Sequence, residues 1–413
     1  MAPPDFDRLT QDLLRRIDEL CLLTEVPGTI TRTFLSETAR QMHAALSGWA
    51  ADLGLSAQVD EAGNWRARLP AAGPDAPTFY IGSHLDTVPD GGKYDGLLGV
   101  ALGLALAGAV RASGQALPYH LEVLGFSEEE GVRFAVPFIG SLSFIGEVEP
   151  LLARTDAQGV TVSEAMQHFG LDPEQLAQAA PQTPALGYLE FHIEQGPVLE
   201  AAGQPLGIVS ALVGQHRLGL TLTGRANHAG TTPMHLRHDA MSAAAEFILA
   251  AEQLALATPG LVATVGRLTA QPGAVNVIAG QVELTLDLRH ADDRLRAERL
   301  ESLLEQLQQL AQRRGVQAQV QVLAEIEAVP LDERLRHTLQ AAARTLGLDA
   351  PELVSGAGHD AMILSRRMPS SMVFLRTPGG VSHHPAEAVA PADVTAALQL
   401  GWHALHTLTQ EHP

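Results

Sequence analysis

The sequence predicts an α/β protein of two domains, one inserted into the other, and three observations carry that expectation. The chain has 413 residues, more than a single core usually holds. Between Thr78 and Val110 a short apolar strand, a loop rich in Gly and Asp and a buried helix follow one another, which is half of a βαβ unit. From Gln215 to about Leu323 the order becomes strand, helix, strand, strand, helix, strand, and an α/β pattern then resumes.

Each element rests on local pattern. Residues 5–25 and 32–53 carry helical spacing of Leu, Ile, Met and Ala with charges between, broken at Pro27 and Gly54. Residues 57–60 and 64–69 flank a turn at Gly63 and read as a hairpin. TFYIGS, residues 78–83, is aromatic or β-branched between Pro and Gly, a strand pattern; residues 97–110 are apolar all round, a buried helix. That helix is too short to cross a bilayer, which takes roughly 20 apolar residues. Residues 120–126 alternate as a strand and run straight into Glu128, Glu129 and Glu130. Residues 155–184 are polar and rich in Ala and Gln, an insertion with two short helices; residues 186–196 and 206–213 are further strands.

Next come a strand at 217–223, a helix at 239–256, strands at 261–269 and 281–288, a helix at 293–314 and a strand at 318–323. This β-α-β-β-α-β order is that of the ferredoxin-like sandwich. A domain of residues 214–325 is therefore expected inside one built from residues 1–213 and 326–413. Beyond Pro330 the pattern gives a helix, a short strand at 371–375 and a final helix at 391–409.

Charge and cysteine usage narrow the function. Lys and Arg number 27 against 47 Asp and Glu, a net charge of -20, with no basic run, so nucleic acid and anionic membranes are disfavoured partners. Cys21 is the only cysteine, which excludes an intramolecular disulfide and a thiolate-rich metal site. MAPPDFDRL has no basic stretch followed by an apolar one, so no secretory signal is visible and a cytoplasmic protein is expected.

Of the 17 histidines, His43, His168, His337, His403, His406 and His412 lie in helical or terminal stretches and need no special role. His84, His192, His228 and His383 instead lie at strand ends or in Gly-rich loops beside polar residues. Two divalent cations about 3.5 to 4 Å apart need a bridging carboxylate and further N and O ligands, and His84, Asp95, Glu130, His192 and His383 supply that inventory. Asp86, two residues beyond His84, could accept from the imidazole nitrogen that does not bind metal. Water acidified by such ions still needs a base, and Glu129 is placed for it. An isolated run of three glutamates is more simply a solvated loop; the His and Asp residues at the other strand end favour a cation site.

HLDTVPDGGKYDG, SEEEGVRF, FHIEQGPVLE, GQHRLGLTLTGRANHAGTTPM, GAVNVIAG, DLRH, SGAGHDAM and GGVSHHPAE, in this order, resemble the M20 metallopeptidase-like amidohydrolases. Within that family the chain looks most like the branch of N-carbamoyl-L-amino acid hydrolases, β-ureidopropionases and allantoate amidohydrolases. The resemblance implies a mixed-sheet α/β metallohydrolase domain with the inserted domain serving dimerisation and as a lid. It implies one ion on His84, Asp95 and His192 and another on Asp95, Glu130 and His383, with Asp95 bridging, Zn²⁺ or Mn²⁺ being the ions expected. Glu129 would be general base and then acid, with Asp86 counted among the catalytic residues as the partner that orients His84.

Gln215 and His228 match positions that reach the substrate carbonyl, His228 from the neighbouring subunit. Asn276 and Arg289 match those that hold its carboxylate, and Gly358 could donate its N–H. An ion pair with a nearby Asp is the other reading of Arg289, and His384 stands beside His383 as an alternative ligand. The activity implied is hydrolysis of a ureido C–N bond in a small acid by a homodimer, with an aminoacylase or dipeptidase as the alternative.

Overall fold

The structure, a computed structural model, describes residues 3–411; His412 lies outside the described residues. Before the insertion the strands are β1 (Ser56–Val59), β2 (Trp65–Leu69), β3 (Thr78–His84), β4 (His120–Phe126), β5 (Ala185–Ile193) and β6 (Leu206–Leu212). Within it come β7 (Gly214–Thr223), β8 (Val262–Thr264), β9 (Leu268–Gln271), β10 (Gln281–His290) and β11 (Gln317–Ile326). After it follow β12 (Val329–Pro330), β13 (Glu352–Ser355) and β14 (Ser370–Leu375). The chain divides into two units, Met1–Ser210 with Leu331–Pro413, and Ala211–Pro330.

Nine strands form a mixed sheet in the order β1-β2-β4-β3-β5-β14-β6-β12, with β13 beside β6. β3 runs parallel to β4 and β5, and β14 parallel to β5, so the carboxyl ends of these four strands open on one edge. That edge is where open α/β sheets bind ligands. Every residue of β3, β4 and β14 is buried, as a parallel strand covered on both faces requires. One cover is the Leu97–Ala112 helix, buried at every position from Leu97 to Val110 and packed on β3, β4 and β5. It has no polar face because the Phe6–Leu20 and Pro391–Glu411 helices close over its other side. Burial of each Leu or Val there stabilises the fold by about 1.5–3 kcal/mol.

The unit Ala211–Pro330 holds a sheet in the order β11-β7-β10-β8, with β9 beside β10, all antiparallel. Counted along the five strands of this unit the order is fifth, first, fourth, second, with the third beside the fourth, and the helices Ala240–Leu256 and Asp293–Arg314 bury Phe247 and Leu303 against Leu220 and Leu284. The Asp293–Arg314 helix starts at the Asp292 cap, whose carboxylate accepts from the Leu295 N–H, and stops at Gly315 in the left-handed conformation.

Several boundaries differ from the sequence expectation. The helix expected over 32–53 begins at Glu37, because the Ser36 hydroxyl caps it by accepting from the Ala39 N–H at 3.2 Å. Arg32 is instead tied to the turn after β3, its N–H donating to Thr87 Oγ1 and its Nε to the Leu85 carbonyl, both at 3.0 Å. The strand expected over 261–269 is two strands, β8 and β9, which flank Gly266 and pair with different stretches of β10. β5 ends at Ile193, and Glu194 leaves the sheet to accept from the Val198 and Leu199 N–H groups. β13 and the short helices Ile139–Phe144 and Asp360–Leu364 are further elements that the pattern did not predict. Among the described residues no helix is long and apolar enough to cross a membrane.

Candidate metal centre

Parallel pairing sets His84 at the end of β3 and His192 near the end of β5 on the same edge. Their Nε2 atoms lie 3.5 Å apart. Both face one oxygen of Asp95, Oδ1, at 3.3 Å from His84 and 3.1 Å from His192. The other oxygen, Oδ2, faces His383 Nε2 at 3.2 Å, and that nitrogen is 3.6 Å from Glu130 Oε1. Asp95 thus turns one oxygen to each of two donor groups, His84–Asp95–His192 and Asp95–Glu130–His383. Within each, the possible ligand atoms all lie within 4.8 Å of one another. A third, overlapping group joins Glu129 to His84 and Glu130. His384 turns elsewhere, its Nδ1 accepting from the Ala386 N–H at 3.1 Å.

Backbone groups fix the imidazoles. His84 Nδ1–H donates to the Asp86 carbonyl at 3.0 Å and His192 Nδ1–H to the Ile193 carbonyl at 2.9 Å. This leaves each Nε2 with a free lone pair, the tautomer that binds metal. The partner of His84 is therefore the Asp86 main chain and not, as expected, its carboxylate, which stands 3.6 Å away, beyond a hydrogen bond. The turn after β3 sends that carboxylate to the glutamate loop, where it accepts from the N–H groups of Glu129 at 2.9 Å and Glu130 at 3.0 Å.

Asp95 is aimed by a tight turn at Gly96. The Leu97 N–H donates to the Asp95 carbonyl at 2.8 Å, and Gly96 sits at φ +66, ψ −57, the strained form of a three-residue turn. A Cβ there would lie 2.5 Å from His84 Nδ1, so the turn and the ring both demand glycine.

The charges crowd. Burial pushes the Asp95 carboxyl up, but hydrogen bonds from His192, His383 and His84 outweigh it and hold the group well below the carboxylate range. Burial pulls His84 down, and Glu129 together with Asp86 and Asp95 raises it well above the usual imidazole value. Burial drives Glu129 well up and Glu130 to about 7. A pocket in which Glu129 and Glu130 resist ionisation while His84, His192 and His383 are drawn toward protonation is short of positive charge. Divalent cations would supply that charge, and His and carboxylate donors suit Zn²⁺, Mn²⁺ and related ions. The donor set fits the ions the sequence implies.

Three further residues at the centre lie inside the FHIEQGPVLE and GGVSHHPAE motifs but have no role expected from the sequence. Gln195 donates from Nε2 to Asp95 Oδ2 at 2.9 Å. Ser382 Oγ lies 3.2 Å from that oxygen and 3.2 Å from Glu387 Oε2. Glu387 Oε1 accepts from the N–H groups of Tyr94 at 2.8 Å and Asp95 at 3.0 Å. Beside His192 packs His359, with ring centroids 4.4 Å apart; Gly358, which precedes it, is exposed.

In the unit Ala211–Pro330, Gln215 and Arg289 are paired across β7 and β10 and both engage Asp287. Gln215 donates from Nε2, and Arg289 donates to both carboxylate oxygens at 2.8 and 3.0 Å. The ion pair considered for Arg289 is thus present. His228 and Asn276 are exposed on neighbouring loops, joined by the Ala229 N–H donating to the Asn276 carbonyl at 2.9 Å.

The sequence matches Peptidase family M20/M25/M40 over residues 80–407. It is 37% identical over 401 residues to the N-carbamoyl-L-amino acid amidohydrolase of Geobacillus stearothermophilus, covering 96% of this chain and 98% of that protein. It is 37% identical to the allantoate deiminase of Arabidopsis thaliana, covering 94% and 80%. Its fold is similar to a solved amidase of the hydantoinase/carbamoylase family from Burkholderia multivorans, with TM-score 0.90, 31% identity and coverage of 96% and 97%. With its mixed sheet, its convergent His and carboxylate side chains and this likeness along nearly its whole length, the chain belongs to the peptidase family M20/M25/M40.

Proposed function

We propose that the protein is a two-metal amidohydrolase that cleaves the ureido C–N bond of a small carboxylic acid, such as an N-carbamoyl-L-amino acid or allantoate. The observation that carries the metal reading is Asp95, whose two oxygens face two separate donor groups, as a bridging carboxylate does. The substrate class is supported by the relatives named for N-carbamoyl-L-amino acids and allantoate.

His84, Asp95 and His192 would hold one ion, and Asp95, Glu130 and His383 the other. Zn²⁺ or Mn²⁺ bound there would supply Lewis acidity toward the carbonyl and acidify water. Glu129, buried beside both donor groups and held by Asp86 through its N–H, takes the proton from the attacking water. It returns that proton to the departing nitrogen as the C–N bond breaks. Ammonia leaves, and the carbamate that remains decomposes to the amine and carbon dioxide. His228 steadies the oxyanion, while Gln215, Asn276, Arg289 and the Gly358 N–H hold the substrate, Arg289 by the attraction of its charge for the substrate carboxylate while Asp287 keeps its Nε–Nη2 edge. We assign the inserted domain, residues 214–325, to dimerisation and closure over the site, with His228 supplied across the dimer. The lone cysteine fits a cytoplasmic setting.

The test is ammonia release by metal-reconstituted protein from allantoate and a panel of N-carbamoyl-L-amino acids. Release of free amino acid from acetylated or dipeptide substrates, with no ammonia from ureido acids, would establish the aminoacylase or dipeptidase alternative instead. Glu129→Gln should keep metal binding and lose about 10²–10⁴ in turnover, the usual worth of base catalysis; full activity would remove Glu129 from its role.

A further inference from the structure

We propose that Glu387 is a positioning residue that clasps the loop bearing Asp95 to the turn bearing His383, so that the Asp95–Glu130–His383 half of the centre forms only when this carboxylate is in place. The inference rests on the two-metal reading above.

Glu387 is 4% exposed and lies 292 residues beyond Asp95 in sequence. One of its oxygens accepts two main-chain N–H groups, those of Tyr94 and Asp95, and the other meets the Ser382 hydroxyl, next to His383. One end of the carboxylate thus holds the backbone of Asp95, and the other holds the side chain of Ser382, the residue before His383. The Ser382 hydroxyl also reaches Asp95 Oδ2, the oxygen that faces His383. The seat is built to admit this side chain: a Cβ on Gly92 would fall 2.2 Å from the Glu387 carboxyl carbon. The other donor group has two imidazoles fixed by their own strand ends, so it shares only Asp95 with the clasp. Partners that orient metal ligands typically contribute 10–100-fold to metal affinity, and here the effect should fall on one ion of the two.

The experiment is calorimetric titration of chelator-stripped protein with Zn²⁺ or Mn²⁺, with bound metal counted by elemental analysis. Wild type should bind two equivalents. Glu387→Ala should weaken one equivalent by about 10–100-fold and leave the other within a few-fold. Glu387→Gln keeps a carbonyl oxygen for the two N–H groups and should restore most of that affinity. Ser382→Ala, which leaves every main-chain contact intact, should weaken the same equivalent by a smaller factor, and it decides the matter if Glu387→Ala does not fold. Equal loss of both equivalents, or none, in these variants overturns the clasp while the two-metal reading stands. Wild type that takes up no metal ends the reading on which the clasp depends.

Discussion

Gly96→Ala tests how tightly the fold constrains the proposed metal ligands Asp95 and His84. Two costs add. At φ +66, ψ −57 an alanine holds a conformation that L-residues rarely adopt, which costs about 1–3 kcal/mol. Its methyl would also sit 2.5 Å from His84 Nδ1. The ring cannot retreat, since it is 1% exposed and its Nδ1 is bonded to the Asp86 carbonyl at 3.0 Å, so overpacking costs about another 1–3 kcal/mol. The total, about 2–6 kcal/mol, is a large share of the 5–15 kcal/mol typical of a folded domain. Urea denaturation of chelator-stripped wild type and variant measures it, and metal titration of the same samples reports whether His84 has moved. A variant within about 0.5 kcal/mol of wild type, with unchanged affinity for both ions, would show that neither the turn nor the ring is as constrained as the geometry implies.

Two further outcomes are expected. Burial and then the charge of Arg40 push His43 down to about 4 from 6.5, so the fold refuses a proton that the unfolded chain accepts between those values. Stability is then full above about pH 6.5 and falls as the pH drops toward 4. The 2.5-unit difference corresponds to about 3 kcal/mol. In His43→Gln that part of the acid sensitivity should vanish, read as the difference in urea midpoint from wild type at pH 7 and at pH 4.5. Asp60, raised by burial to about 6, contributes with the opposite sign over an overlapping range and cancels in that difference. An unchanged pH profile would place the acid sensitivity elsewhere. His383→Ala should lose one metal equivalent by elemental analysis and His384→Ala none; the reverse pattern would exchange their assignments.

The strands that end in His84, in the glutamates and in His192 are readable because each is a short buried apolar run, and in an α/β sheet such runs deliver their last residues to one edge. The Asp293–Arg314 helix is readable because an Asp cap and a Gly stop bracket it. What escapes is long-range or main-chain. Nothing in the spacing of His84 and Asp86 says that the carbonyl, not the carboxylate, reaches the ring. Glu387 is one acidic residue in a loop, and the main-chain groups it accepts from, those of Tyr94 and Asp95, lie nearly three hundred positions earlier. An ion pair with a nearby Asp can be read for Arg289, but nothing indicates that Gln215 would share Asp287, because cross-strand register is not visible in either strand alone. β13 is short and half exposed at the sheet margin, where burial periodicity is weak.

β14 lies between β5 and β6 in the finished sheet although both are translated well before it. A nascent chain emerging from the ribosome therefore carries two bare strand edges, at β5 and β6, until its final stretch arrives, and unsatisfied edges of this kind recruit other chains. The strand that seals that gap leads directly into the segment bearing His383. Closure of the gap and arrival of the His383 donor are consequently one step of biogenesis, and polypeptides released early would be sticky and would lack the Asp95–Glu130–His383 group.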